Sequence, residues 1–73
     1  MLPLTVAKAG EQLTIARVGG NPETKKHLED LGFVAGAVIS VVSSNDGDII
    51  VSLKESRLAI TEQMAAKIMV QIN

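Results

Sequence analysis

Few side chains in this sequence could take part in chemistry. His27 is the only histidine, the chain has no cysteine, and Glu23 lies about one helical turn before His27. A divalent transition metal needs several convergent imidazole or carboxylate ligands, and the neighbouring Lys25 and Lys26 would oppose its charge. We therefore interpret His27 as an ordinary surface histidine, and we expect no metal site and no cofactor.

Lys25 and Lys26 form, together with His27, a small basic cluster near the start of a predicted helix. A charge cluster of this kind is typical of a solvated helix face that keeps a protein soluble. It is also suited to meeting an acidic patch on a partner, because complementary charge speeds the encounter of two proteins. We take Lys25 and Lys26 as candidate partner-binding residues.

Arg57 is the third candidate, since it stands alone in an otherwise aliphatic segment. Two interpretations are open. Arg57 could form a modest salt bridge with an acidic turn at Asp46 or Asp48. Alternatively it faces outwards as the charged contact of a binding groove, because arginine is enriched at interface hot spots.

Composition and charge exclude several classes of function. Seven Lys and Arg residues balance eight Asp and Glu residues, so no basic excess is available to follow a nucleic-acid backbone. Phe33 is the single aromatic residue, which leaves almost nothing to stack on bases. No group of side chains supplies a nucleophile, a base and an orienting residue. The sequence therefore predicts a protein that binds another macromolecule and is not an enzyme.

The chain has the size and composition of one small soluble domain. Its 73 residues leave no room for a second core, and a hydrophobic content of 47% with a net charge of −1 argues against disorder. No apolar run approaches the length of a membrane span, and residues 1–4 do not resemble a secretory signal. We expect a single domain over residues 1–73 located in the cytoplasm.

Most of the chain shows the patterns of β-structure. After an initial strand or arm over residues 2–9, alternating or continuous apolar residues predict strands at 13–18, 37–43, 48–53, 57–60 and 68–72. The Val- and Ile-rich run 37–43 favours a strand that is buried on both faces or lies in a tight barrel. The Asn45-Asp46-Gly47 sequence is typical of a hairpin turn.

Two helical segments interrupt these strands. Asn21-Pro22-Glu23 is a strong helix start, and Gly32 suits a left-handed cap at its end. Leu28 and Leu31 give this helix a narrow apolar stripe, so we expect it to rest as a lid with Phe33 packed beneath it. Thr61 caps a later helical turn over residues 64–66. The prediction is a mostly β fold: a small barrel of five to six strands with one lid helix and a short late helical turn.

The order of these features resembles the ferrous iron transport protein A (FeoA) family, whose fold is an SH3-like barrel. The resemblance extends from about Leu4 to Ile72 and includes the stretch Leu28-x-x-Leu31-Gly32 with Gly36 after it. It also includes Gly10, Ile15, Val38, Val41, the Arg57, Ala59 and Ile60 segment, and the closing pattern Ala66-x-Ile68-x-Val70.

The resemblance implies a cytoplasmic accessory protein of ferrous iron uptake. Its partner would be the FeoB-type membrane transporter, whose cytosolic GTP-binding domain would recruit it to the inner face of the membrane. A similar barrel ends the iron-dependent transcriptional repressors, so the alternative is a free-standing SH3-like domain that acts by protein contact in such a system. An exposed strand edge rich in Val and Ile could also pair with a second copy.

Overall fold

The computed structural model describes residues 1–45, 47–54 and 56–73, and in these ranges the chain is mostly antiparallel sheet. The strands are β1 (Leu2–Pro3), β2 (Gln12–Val18), β3 (Val38–Asn45), β4 (Asp48–Leu53), β5 (Ser56–Thr61) and β6 (Ile68–Ile72). A 3₁₀ helix covers Leu4–Val6, and the α-helices are α1 (Pro22–Asp30) and α2 (Glu62–Ala65).

The six strands form one sheet in the order β1-β6-β2-β3-β4-β5, and each neighbouring pair is antiparallel. The chain therefore meanders from β2 to β5 and then returns to place β6 on the other side of β2. Two register shifts, between Ile15 and Arg17 in β2 and between Val41 and Ser43 in β3, bend these strands. Such bulges increase local twist, which curls the sheet around its apolar face.

One core fills the concave side of the curled sheet. Alternate residues of β2, β4 and β6 point into it, as expected for strands with one buried face. Phe33, the only aromatic residue, is fully buried in the same core as Leu28 of α1, which confirms its predicted burial. The described residues include no buried polar or charged side chain.

The first helix has the ends that its sequence predicts. The Asn21 side chain accepts a hydrogen bond from the Thr24 backbone N–H at 2.8 Å, and Pro22 occupies the first turn. After Leu31, Gly32 has a φ of 107°, a left-handed conformation that favours glycine. The second helix is capped in the same way, because Thr61 Oγ1 accepts from Met64 N at 3.2 Å.

In two segments the structure departs from one of the predicted alternatives. The initial segment contains only a two-residue strand and then a 3₁₀ helix, in which Leu4 is buried while Val6 is exposed. Strand β3 is buried on one face only, since Val38 and Val42 are 47% and 37% exposed. The hairpin turn predicted at Asn45-Asp46-Gly47 lies partly outside the described residues, although Gly47 has the expected positive φ of 88°.

Among the residues that the structure describes, strand pairing does not close the sheet, and β1 and β5 are its two edges. The 3₁₀ helix and α2 contact each other between these edges, and they reach β6 on one side and β4 and β5 on the other. These two short helices therefore complete the barrel where no strand pairing does.

Candidate partner-binding surface

The predicted basic cluster lies on the solvent side of α1. Lys25, Lys26 and His27 are all exposed, and Leu28 is the one buried residue of the helix. The helix packs on β2, so this cluster is displayed next to the first long strand of the sheet. Its position is suited to contact with a partner, and the role of Lys25 and Lys26 stays a prediction.

Arg57 is exposed on the outer face of β5, where it lies opposite Ser52 of β4. Asp48 lies opposite Thr61, four residues along the same ladder. At about 3.3 Å per residue this separates Arg57 and Asp48 by about 13 Å along the strands, too far for a salt bridge within the chain. The other suggested acceptor, Asp46, lies outside the described residues. The register therefore argues against a salt bridge to Asp48, and the role of Arg57 as a partner contact stays a prediction.

The three candidate residues are not gathered into one site. Lys25 and Lys26 lie on a helix that covers β2, whereas Arg57 lies on β5, separated from β2 by β3 and β4. Because the sheet curls, the end of α1 nevertheless lies close to the start of β5, where Asp30 and Ser56 line the same groove. Spacing along the chain does not reveal strand order, so the sequence alone does not show how these residues are placed relative to one another.

A groove that the sequence analysis did not identify lies between the end of α1 and the β4–β5 hairpin. It has a volume of about 380 Å³. Its apolar lining comes from both sides of the fold: Leu31, Val34 and Ala37 on one side, Leu53 and Leu58 on the other. Asp30 and Lys54 add one charge of each sign, and Gly32 and Ser56 complete the lining.

Gly32 is essential to the shape of this groove. A Cβ atom at this position would lie 2.5 Å from Leu53 Cδ2, so the helix end and the β4 side chain approach each other as closely as the backbone allows. The Leu31-Gly32 pair of the family pattern therefore forms one wall of the groove. That pattern was the available signal, but it does not show which distant residues form the opposite wall.

The chemistry of the groove is that of side-chain recognition. Its apolar lining can accommodate an aliphatic side chain, while Asp30 and Lys54 can meet polar groups around it. Arg57 lies between two lining residues, Ser56 and Leu58, but on the opposite face of β5. It therefore flanks the groove and does not line it.

A second recess, of about 200 Å³, is polar. It lies between the 3₁₀ helix, the β3–β4 hairpin and α2, where Thr5, Asn45 and Glu62 are among its lining residues. Over residues 1–45, 47–54 and 56–73, no three His, Asp or Glu side chains come together as a potential metal site. In the same ranges no helix has the length and hydrophobicity required to cross a membrane.

A curled six-stranded antiparallel sheet, completed by two short helices, defines the chain as an SH3-like barrel. The FeoA domain family matches residues 2–72. The chain belongs to the FeoA family. The Fe(2+) transport protein A of Methanocaldococcus jannaschii is 32% identical over 71 residues, which cover 97% of this chain and 87% of that protein.

Solved structures agree with this assignment. A crystal structure of an iron uptake regulatory protein, FeoA, superimposes with a TM-score of 0.92 at 29% identity, and the match covers 99% of this chain and 97% of that one. The solution structure of FeoA from Chlorobium tepidum superimposes with a TM-score of 0.86 at 32% identity. That match covers 97% of this chain and 70% of the other. These matches confirm the predicted family and fold.

The same barrel occurs in a different class of protein. A manganese-dependent transcriptional repressor superimposes with a TM-score of 0.92 over 99% of this chain, at 19% identity. This chain corresponds to only 41% of that repressor. At this identity the likeness establishes a shared fold only.

Proposed function

We propose that this protein is a cytoplasmic accessory protein of ferrous iron uptake, which binds the cytosolic GTP-binding domain of a FeoB-type transporter. The observation that carries the proposal is the family match over residues 2–72, together with the 32% identical Fe(2+) transport protein A. Binding to the transporter domain would recruit the protein to the inner face of the membrane.

The groove between α1 and the β4–β5 hairpin is the contact surface that we favour. Its aliphatic lining offers a pocket for one apolar anchor of the partner, and interfaces concentrate their binding energy in such filled pockets. Lys25 and Lys26 would add electrostatic attraction at a distance, and Arg57 would contact the partner beside the groove. These two contributions differ in their dependence on salt, because exposed charges are screened and a buried apolar anchor is not.

A matched pair of valine variants tests the groove. Val34 lines it and is 41% exposed, whereas Val42 is 37% exposed on the outer face of β3 and lies outside it. We expect Val34→Glu to weaken binding to the purified GTP-binding domain by at least about tenfold, because the carboxylate would be desolvated in the pocket. Val42→Glu should leave the Kd within about twofold.

The measurement is isothermal titration calorimetry of the full chain with the cytosolic domain of the transporter from the same genome. A Lys25→Glu, Lys26→Glu double variant should raise the Kd, because association becomes slower, and salt should reduce that difference. Equal effects of the two valine variants would exclude the groove. Absence of binding by the unmodified chain, together with normal Fe²⁺ uptake in cells that lack it, would overturn the proposed function.

The alternative function is that of a free-standing domain in a metal-dependent repressor system. It predicts association with the repressor and altered operator binding, with no change in Fe²⁺ uptake. The likeness to the manganese-dependent repressor is one of fold only. The uptake measurement distinguishes the two functions directly.

A further inference from the structure

Within the described part of the chain, one edge of strand β5 has no strand partner, and the polar groups on that edge can be identified. Glu62 N donates to Gly47 O at 3.0 Å, on the ladder that pairs Asp48 with Thr61. Because hydrogen-bonded and non-hydrogen-bonded pairs alternate in an antiparallel ladder, Leu58 and Ile60 direct their backbone groups towards β4. Arg57 and Ala59 therefore direct theirs towards the open edge. Thr61 directs only its N–H there, because its C=O accepts the first hydrogen bond of α2.

We propose that this edge binds β5 of a second copy of the protein, antiparallel and around a two-fold axis at Ala59. In this register Arg57 lies opposite Thr61 of the second copy, and Ala59 lies opposite its counterpart. The register lets each Ala59 N–H donate to Ala59 C=O of the other copy, and each Thr61 N–H donate to Arg57 C=O of the other copy. The sheets of two molecules would then be continuous, the mode of recognition known as β-augmentation.

The charges on the outer face of the sheet are self-complementary in this register. Within one chain Asp48 is the cross-strand neighbour of Thr61, and Arg57 lies near the other end of β5. Pairing Arg57 with Thr61 of the second copy brings Asp48 of that copy to about two strand spacings, or about 10 Å between backbones. Long arginine and short aspartate side chains on one face can meet across this distance. The two-fold axis repeats the contact, so each copy supplies one arginine and one aspartate.

Apolar side chains on both faces fit the same arrangement. On the inner face, Leu58 is only half-buried although it points towards the core, and in this register it meets Ile60 of the second copy. On the outer face, Ile50 lies next to Ala59 on the adjacent strand. In the dimer these residues would form one continuous row on the outer face. Ile50 and Ala59 of one copy would be followed by Ala59 and Ile50 of the second copy. A second copy of this chain is the partner that matches both the charges and the apolar rows beside this edge.

A charge-reversal cycle tests the register. Sedimentation equilibrium of the full chain from about 5 µM to about 1 mM should show a monomer–dimer equilibrium, a range that covers weak association through a small interface. We expect Arg57→Glu and Asp48→Lys each to raise the dimer Kd by at least about tenfold through like-charge repulsion. The double variant should return it to within about threefold of the original.

The matched control for the lost positive charge is Arg17→Glu. Arg17 is exposed on β2, away from the β5 edge, so the dimer Kd should stay within about twofold. A chain that remains monomeric to about 1 mM would overturn the proposal. A double variant no better than the single variants would overturn it too.

Ala59 provides a second test that does not depend on charge. Ala59→Pro removes the outward N–H but no bond to β4, and proline is accepted on an edge strand at such a position. It should abolish the dimer, whereas Ala59→Ser, which keeps the N–H, should retain it. Circular dichroism checks that both variants are folded. Retention of the dimer by a folded Ala59→Pro variant would contradict the proposal.

The amide of Ala59 gives a direct readout in the unmodified chain. Its hydrogen exchange should slow with increasing concentration, whereas that of Leu58, already bonded to β4, should change little. Exchange of Ala59 that is independent of concentration would exclude this edge. These measurements use the isolated protein, so their outcome is independent of whether a transporter domain binds the groove.

Discussion

At the scale of single residues, Gly32 and Gly36 carry the turn that leads from α1 to β3. Both have a left-handed backbone, with φ values of 107° and 92°. Their surroundings differ, since a Cβ at Gly32 would lie 2.5 Å from Leu53 Cδ2 and a Cβ at Gly36 would meet nothing within 4 Å. The pair therefore separates the cost of backbone strain from the cost of a steric clash.

Replacement of each glycine by alanine should show this difference. Gly36→Ala should lower the free energy of unfolding by about 1–2 kcal/mol, the cost of a left-handed conformation in a residue with a Cβ atom. Gly32→Ala should lose about 1–3 kcal/mol more, because Leu53 must move to make room. Urea unfolding followed by circular dichroism measures both values. Equal losses would show that the Leu53 contact yields without cost.

At the scale of elements, α1 depends on its ends because it has only nine residues and buries a single side chain fully. An isolated helix of this length is not stable in water. The hydrogen bond from Thr24 N to Asn21 Oδ1, at 2.8 Å, satisfies one of the otherwise unpaired amide groups of the first turn. This cap should therefore contribute measurably to the stability of the whole chain.

Replacement of Asn21 should destabilise the chain by an amount that depends on the new residue. Asn21→Ala should lower the free energy of unfolding by about 0.5–2 kcal/mol, whereas Asn21→Gly should lower it by only a few tenths of a kcal/mol. Hydrogen exchange of the α1 amides should accelerate more in the alanine variant. If the two variants unfold at the same urea concentration, the side-chain hydrogen bond is not what stabilises the helix.

The elements that sequence patterns predict well are those with local causes. Asn21 and Pro22 fix the start of α1, and Gly32 fixes its end, because each acts on backbone groups within one turn. The alternation of Ile49, Val51 and Leu53 likewise fixes the buried face of β4. The order of the strands, by contrast, follows from pairings between distant segments.

Features that depend on contacts between distant segments were missed or predicted wrongly, because local patterns do not show those contacts. A Val- and Ile-rich run cannot by itself show whether one or both faces of a strand are covered, so the exposure of Val38 and Val42 was not foreseen. Leu31 and Leu58 line the same groove only because the curl of the sheet brings their elements together. The prediction of Lys25, Lys26 and Arg57 as partner contacts remains open to experiment.

At the scale of the whole molecule, the initial segment connects the β6 side of the barrel with α2. Strand β1 pairs Leu2 with Val70, and the 3₁₀ helix that follows contacts α2 and β6. Leu4 is fully buried, whereas Leu2 is half-buried against the core. Leu4 therefore forms part of the core, whereas Leu2 packs against the core and stays partly exposed.

The same substitution at Leu2 and at Leu4 compares a half-buried position with a fully buried one. Leu4→Ala should cost about 2–5 kcal/mol, because it removes a fully enclosed side chain and leaves a cavity where the 3₁₀ helix meets α2 and β6. Leu2→Ala should cost less than about 2 kcal/mol, since solvent can fill the space beside a half-exposed residue. Urea unfolding gives both values. Because a small domain has only about 5–15 kcal/mol of stability in total, the Leu4 variant should be close to unfolding at 37 °C. Equal losses at the two positions would show that β1, and not the 3₁₀ helix, holds the open side of the barrel together.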